Sequence, residues 1–564
     1  MTDTLPTEPQ PGQSARREVN SHARPLTAHR LRNSTMVVMI GFTLTKLVSL
    51  LQVFIIADRF GTGADYDSFV TANNAPAQIV RLLGGGALAV AFIPVFSGLL
   101  NRDDSDSAWR LASQAFNTLL VVTLVISLLI AATAPLLVQH VIAPGFNASQ
   151  TAQTVDLLRI LMISTVIFTV SSLLSGILNG YNHFFLPVLA PIFQDVGLLF
   201  GVIFFTGPLG IYGLAWGVVL GAVMHIGIQV PGLVMFRARW LPSLGWNDPR
   251  LREVARLMVP RMLASGVFAI NFIAINNIAS RLGEGAPSAF DWGLRIMDIP
   301  EALIGTALGF VIFPTLSALT ELGRVEDRRK LFSEAVRFVL VATIPAAAGM
   351  LLIGRPAVDI LFTDPDEAAL VYASVQVFAF ALVFQAVHEI IARAFYAEKD
   401  TITPLIMSVY GMIAAIITLI VAFNIYLRVD TIPLASPFGA GIAAMGYLVA
   451  FVVELSLLTI ALKRRWIDLD EGRVRRALVR TFAATALMAL PVIVLDMFLA
   501  NNIFTGHGRF TGLARSGIGA VTGIIFFLIG ALVFDLKEVK QFPRIFRKRG
   551  AALATDIIDE TNAE

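Results

Sequence analysis

Fourteen long apolar runs constrain this chain more than any other feature. A helix crossing the hydrocarbon core of a bilayer needs about 20 apolar residues. The sequence supplies such runs near 34–57, 75–100, 114–138, 157–179, 186–206, 209–235, 257–280, 288–317, 333–353, 369–392, 403–425, 437–461, 477–500 and 511–536. They are too long for barrel strands and lack alternation of period two, which excludes a transmembrane β-barrel. Charged residues make up 15% of the chain and hydrophobic ones 56%, whereas soluble proteins carry roughly 25% charged. The absence of cysteine removes disulfides, thiolate nucleophiles and Cys-ligated metal centres. The expected fold class is an all-α polytopic membrane protein with about 14 transmembrane helices. Residues 1–33 are polar and rich in Pro and Ser; they do not read as a signal peptide.

Basic residues give the orientation. Loops that remain on the cytoplasmic side are enriched in Lys and Arg. Of the 43 Lys and Arg residues, 30 fall on one side of the fourteen spans, 5 on the other and 8 inside them. Both termini lie on the richer side, so an N-in, C-in arrangement is expected. The basic N-terminal tail, with Arg16, Arg17, Arg24, Arg30 and Arg32, suits anionic lipid.

The chain also repeats itself. A shift of 220 residues aligns Gly85–Thr123 with Gly305–Thr343 without a gap, and twelve of the 39 pairs are identical, among them Gly85/Gly305, Pro94/Pro314 and Ser97/Ser317. The shift carries span 2 onto span 8, so the unit is six spans and the two copies are parallel, an arrangement found in transporters. The expected organisation is a disordered basic tail (1–33), an N-lobe of helices 1–6 (34–235) and a cytoplasmic linker (236–256). A C-lobe of helices 7–12 (257–461), two additional helices (462–536) and a cytoplasmic C-terminal tail (537–564) follow.

Charges inside spans are costly against lipid and normally face a cavity or a partner. Span 1 carries Thr45, Lys46, Ser49 and Gln52 on one helical face; span 2 carries Asn74, Gln78, Arg81 and Gly85; span 8 carries Asp291, Arg295, Asp298 and Glu301. At 1.5 Å per residue, Arg81 and Arg295 lie roughly 10 Å inward from the outer ends of their spans and Lys46 about 16 Å inward. Three cations at corresponding depths suit a phosphorylated substrate, which Arg binds in a fork and Lys as a point charge. Each has a competing structural explanation. Arg295 has acidic neighbours on its own face, Lys46 can snorkel, and Arg81 can reach headgroups. Asn271, Asn276 and Asn277 suit helix gluing. Asp195, Glu389, Glu454 and Asp496 stand as isolated intramembrane acids, with His388 beside Glu389.

Enzyme signatures are missing. There is no GxxxxGK[ST] phosphate loop, HExxH, GxSxG or paired metal-ligand spacing, so neither an enzyme nor a metal site is expected. Gly84, Gly85 and Gly86 have no following Lys-Ser/Thr and suit bending or close helix contact. No cofactor is expected. Transport would run on a substrate gradient, an ion gradient or the membrane potential.

Several segments resemble the MurJ/MviN family: FGTGADYDSF (Phe60–Phe69), APGF (Ala143–Phe146), ILNGYNHFFLPVLAP (Ile177–Pro191), GLAWGVVLGAVMHIGIQVPGL (Gly213–Leu233), RIMDIPEALIGTALGFVIFPTLS (Arg295–Ser317) and AFYAEKDTITP (Ala394–Pro404). They run in order over spans 1 to 11, and the last 160 residues match in layout. The resemblance implies the multidrug/oligosaccharidyl-lipid/polysaccharide exporter superfamily, with two six-helix lobes and two extra helices forming a groove for a lipid tail. It implies a flippase for lipid II, the undecaprenyl-diphosphate-linked peptidoglycan precursor. Lys46 falls where the family usually has Arg, and Asp67, Arg81 and Arg295 fall on family positions. Gln52, Val80 and Gly85 stand where the family has Arg, Arg and Glu, so the cavity is less charged than the family pattern.

Together these observations lead to a lipid II flippase working by alternating access. Lys46, Arg81 and Arg295 would hold the diphosphate, and Asp67, Gln52, Gln78, Asp298, Gly84, Gly85 and Gly86 would support the cavity and its gating. Expected partners are the lipid-linked precursor, membrane lipids and cell-wall synthesis machinery, with no nucleic acid. The alternatives are a flippase for another polyprenyl-diphosphate glycan, a drug exporter of the same architecture, or a non-transporting membrane scaffold for cell-wall machinery.

Overall fold

The structure is a computed structural model that describes residues 45, 48–84, 86–428, 436–466 and 469–539. Lys46, Gly85 and both terminal tails lie outside the described residues. The described chain is helical throughout. Residues 48–60 form α1, and Ala64–Leu83 and Gly86–Leu100 form α2 and α3. Then come α4 (Ser105–Ile142), α5 (Ala148–Gly180), α6 (Phe185–Leu209) and α7 (Ile211–Met235). Pro249–Arg281 is α8. It is followed by α9 (Ala286–Glu321), α10 (Val325–Leu361), α11 (Pro365–Ala397), α12 (Ile402–Leu427), α13 (Pro437–Trp466), α14 (Glu471–Asn502) and α15 (Arg509–Val533).

Eleven of these helices, α4 to α7 and α9 to α15, are long and apolar enough to cross a membrane. The other three expected spans coincide with α1, with the interrupted pair α2–α3, and with α8. Residues 34–44, 46 and 47 of span 1 and Gly85 of span 2 lie outside the described residues. Span 2 is broken because the chain turns at Gly84. Span 8 is continuous but carries a π-turn at Ala302–Thr306. Subtracting the repeat shift of 220 maps that turn onto positions 82–86 of the sequence.

The chain divides into two compact units. One contains the described residues up to Val53 together with Ile79–Ala131 and Ile160–Met262. Its core joins α3, α4 and α5 through Phe92, Phe96, Trp109, Leu111 and Leu173. In the same unit α6 and α7 meet backbone to backbone. A Cβ on Gly201 would lie 2.3 Å from the Gly217 Cα, and one on Gly197 would lie 2.4 Å from the Gly221 Cα. Small residues four apart on both helices allow this approach, which accounts for the glycine spacing of the Gly213–Leu233 motif.

The second unit holds Phe54–Gln78, Ala132–Arg159 and everything from Leu263 onward. Two apolar clusters carry it. One is built around Phe332, Phe395 and Trp466, the other around Phe290, Phe378 and Tyr447. The last two helices belong to this unit. A Cβ on Gly512 of α15 would lie 2.5 Å from the Pro356 carbonyl of α10, and Gly530 rests on Ala484 of α14. Between α14 and α15, Arg515 donates to both carboxylate oxygens of Asp496 at 2.9 and 2.8 Å.

Candidate functional site

Within the second unit, the start of α2 is clasped to the start of α9. Helix α9 begins after Gly285, whose backbone is left-handed (φ +86°) and which has no side chain to cap the helix. The first amides of a helix need acceptors, and Asp67 supplies them from 218 residues away. Its Oδ2 accepts from the Gly285 amide at 2.7 Å, and its Oδ1 accepts from the Ser288 amide at 2.9 Å and from the Ser288 hydroxyl. A carboxylate here also meets the positive end of the helix dipole. Asp67 and Ser288 are both fully buried.

Neighbouring residues extend the clasp. The Glu284 carboxylate accepts from the Ala64 amide at 3.0 Å. The Tyr66 ring stacks on Trp292 with centroids 4.9 Å apart, and the Trp292 indole donates to the Gly61 carbonyl at 3.1 Å. Glu367 of α11 accepts from the Thr62 amide at 3.0 Å. Gly61 is left-handed (φ +55°), and any Cβ there would strike the Glu367 carboxylate. FGTGADYDSF is thus a docking segment, whose glycine, tyrosine and aspartate each have a partner on α9 or α11. Arg509, at the start of α15, pairs with Asp58 and sits over the Phe54 ring at 4.8 Å.

Arg295 lies two turns into α9 from Ser288. Its Nε donates to Asp291 at 2.6 Å, and Asp291 also accepts from the Tyr66 hydroxyl at 3.2 Å. The ion pair competes with a purely substrate-binding role. It does not bury the cation, since 39% of the Arg295 side chain stays exposed. Asp298 adds its negative field to Arg295 from the next turn. Gln78 is buried in α2.

In the first unit, Gln52 is buried in α1. Arg81 is exposed in the last turn of α2 and makes no ion pair among the described residues. Gly84 packs closely on α5, where a Cβ would come within 2.9 Å of the Ser172 hydroxyl. The backbone of Gly86 opens α3.

The four acids read as isolated in the sequence all have partners. Asp195 accepts from the Ser49 hydroxyl at 2.5 Å. Glu389 pairs with Arg393 one turn away, and Asp496 with Arg515. Glu454 meets His388 at 3.0 Å and accepts from Ser408. Sequence spacing shows a helix its own face only, and three of these four partners sit on another helix. Asn277 does act as helix glue, donating to the Val141 carbonyl at 2.6 Å. Among the described residues, no three His, Asp or Glu side chains cluster as metal ligands.

Asp67's partners Gly285 and Ser288 were not singled out from the sequence, nor were Tyr66, Trp292 and Glu367.

AFYAEKDTITP forms a second network, at the α11–α12 turn. Asp400 caps α12, accepting from the Ile402 and Thr403 amides at 3.0 and 2.9 Å, and Arg465 of α13 donates to it at 2.5 Å. Glu398 accepts from the Trp466 indole at 2.7 Å and pairs with Arg328 at 3.0 Å. Partial burial alone would raise the Asp400 carboxyl, but Thr403 and Arg465 hold it below its ordinary value.

A family model of the lipid II flippase MurJ matches residues 56–511. A lipid II flippase MurJ of Burkholderia cenocepacia is 30% identical over 379 residues, covering 64% of this chain and 73% of that protein. A probable lipid II flippase MurJ of Rhizobium tropici is 26% identical over 537 residues, covering 92% of this chain and 97% of that protein. Among solved structures, a lipid II flippase MurJ in an inward closed conformation superposes with TM-score 0.72 at 18% identity, covering 89% of this chain and all of that one (100%). An inward-facing multidrug resistance MATE family transporter gives 0.63 at 16% identity, covering 77% and 99%. At these identities the structural likeness is one of fold.

Proposed function

This chain belongs to the lipid II flippase MurJ family, and from that membership we propose that it moves lipid II across the bacterial cytoplasmic membrane by alternating access. The observation that carries the mechanism is the Asp67 cap on α9. A gate must close by bonds that can be broken and remade, and hydrogen bonds to a helix end meet that need better than an apolar seam. Asp67 releasing Gly285 and Ser288 would free the start of α2 from α9. The Lys and Arg bias supports placing this clasp at the outer face, with both termini cytoplasmic.

Lys46, Arg81 and Arg295 are assigned to the substrate diphosphate. Arg81 is exposed and has no counter-ion among the described residues, and 39% of the Arg295 side chain stays exposed beside its pair with Asp291, which supports both assignments. Arg keeps its charge at any working pH, so these contacts persist through a transport cycle. The turn at Gly84 and the π-turn at Ala302–Thr306 are the proposed bending points of the two repeat copies. Transport draws on an ion gradient or the membrane potential, and the chain meets the cell-wall machinery through its product. A drug exporter would not need three cations inside its spans, and a scaffold would need no polar stripes inside its helices.

The test is genetic. Cells depleted of their lipid II flippase should grow when this chain is expressed and inserted in the membrane. Lysis despite correct insertion would contradict the proposal.

A further inference from the structure

Helices α10, α14 and the chain just after α15 enclose a cavity of about 250 Å³ that the transport reading does not use. Five cations line it: Arg337, Arg473, Arg476, Arg480 and Lys537, against the carboxylates of Asp535 and Glu538. Arg473, Arg476 and Arg480 follow at steps of three and four, so they share one face of α14. Three of the five are held by neighbours. Arg337 pairs with Glu538 at 2.6 Å, Arg473 with Asp470 at 3.4 Å, and Arg480 donates to the Asp535 carbonyl at 2.9 Å. Arg476 reaches only the Gly472 carbonyl, at 3.1 Å, and neither Arg476 nor Lys537 has a carboxylate partner among the described residues. Among the described residues, the cations lining the cavity therefore outnumber its carboxylates.

The surroundings say what kind of anion fits. The cavity abuts an apolar cluster of Val341, Ala484, Ala531 and Leu536. Beside it, Val479 and Phe482 of α14 and Leu532 and Val533 of α15 are exposed, a surface that matches acyl or isoprenyl chains. An anion held here with an apolar body lying along α14 and α15 is an amphiphile. The site lies on the Lys/Arg-rich side, where anionic headgroups attract basic residues, and the sequence continues with Lys540, Arg544, Arg547, Lys548 and Arg549.

We propose that this pocket binds the phosphate of a membrane-embedded lipid, with Arg476 and Lys537 as the cations that meet it. The proposal does not depend on lipid II transport, because a bilayer phospholipid satisfies the chemistry as well as a polyprenyl diphosphate does.

Purified full-length protein in detergent is titrated with phosphatidylglycerol, undecaprenyl diphosphate, phosphatidylcholine and inorganic phosphate, and the stabilisation against heat is read at each concentration. One or both anionic lipids should protect; phosphatidylcholine and inorganic phosphate should not. Protection by phosphatidylglycerol identifies a bilayer lipid as the source. Protection lost in the variant for undecaprenyl diphosphate alone identifies the carrier. At roughly fivefold per cation, R476Q/K537Q should bind about 25-fold more weakly, while R476K/K537R stays within about twofold. Should R476Q/K537Q not fold, the exposed single variant K537Q carries the test with a loss of about fivefold. Unchanged affinity of the charge-deleted variant for both anionic lipids would overturn the site. Equal protection by inorganic phosphate would overturn its lipid character.

Discussion

Asp67 caps a helix that begins 218 residues later in the chain: its carboxylate takes the Gly285 amide, the Ser288 amide and the Ser288 hydroxyl. A helix-capping carboxylate contributes about 1–2 kcal/mol. Asp67→Asn replaces an ion with a neutral amide whose NH₂ end faces amide donors. Transport should fall severely while the protein still inserts. Ser288→Ala removes one donor and should cost about 1 kcal/mol with only partial loss of transport. Thermal stability in detergent, read beside precursor exposure on the outer leaflet, orders the two variants. Equal loss in both would mean that the hydroxyl, and not the cap, matters.

Arg295 and Asp291 separate pairing from binding. Arg295→Gln leaves Asp291 without its cation. Removing one partner of a fully buried pair costs about 3–5 kcal/mol, and less here because Arg295 is 39% exposed. Replacing Asp291 by Asn at the same time should restore stability. If Arg295 holds the diphosphate, the stable double variant still fails to transport. Recovery of transport by R295Q/D291N would remove Arg295 from the binding site.

Glycines on α6 and α7 test the backbone seam. Gly201→Ala drives a methyl to within 2.3 Å of the Gly217 Cα, and nothing flexible stands in between. Overpacking of this kind costs about 1–3 kcal/mol. Gly207→Ala, with no atom within 4 Å of its added methyl, should leave the melting temperature unchanged. A comparable drop in both would show that helix propensity outweighs packing.

Asp400 gives a pH dependence with a fixed sign. Its carboxyl is held below the ordinary 3.8 by Thr403 and Arg465. A depressed carboxylate stabilises above its unfolded pKa and loses that contribution as pH falls through its folded one. The wild type should therefore melt above Asp400→Asn at pH 7, and the gap should close below pH 3.8. A gap that persists in acid would assign the effect to shape instead of charge.

Most of the fold was legible because apolar runs of span length admit only helices in lipid. Arg81 and Arg295 were readable as costly charges on one face. Asp291 as the direct partner of Arg295, in preference to Asp298, was not, because both lie within a turn and only the rotamer chooses between them. Asp67 stood out by motif, but its bond to Ser288 joins two helices whose pairing depends on how the repeats assemble. The same limit made Asp195, Glu454 and Asp496 look unpartnered, whereas the partner of Glu389, Arg393, stands one turn along its own helix.

The central claim is that this chain delivers lipid II to the outer leaflet. The most direct measurement is the fraction of lipid II accessible to an impermeant, externally added lipid II-binding probe, in cells whose own flippase is depleted. With this chain expressed, accessible lipid II should rise to the level of undepleted cells, and with Lys46→Ala it should fall back to the depleted level. Lipid II that stays inaccessible while the intact chain is present in the membrane would contradict the account.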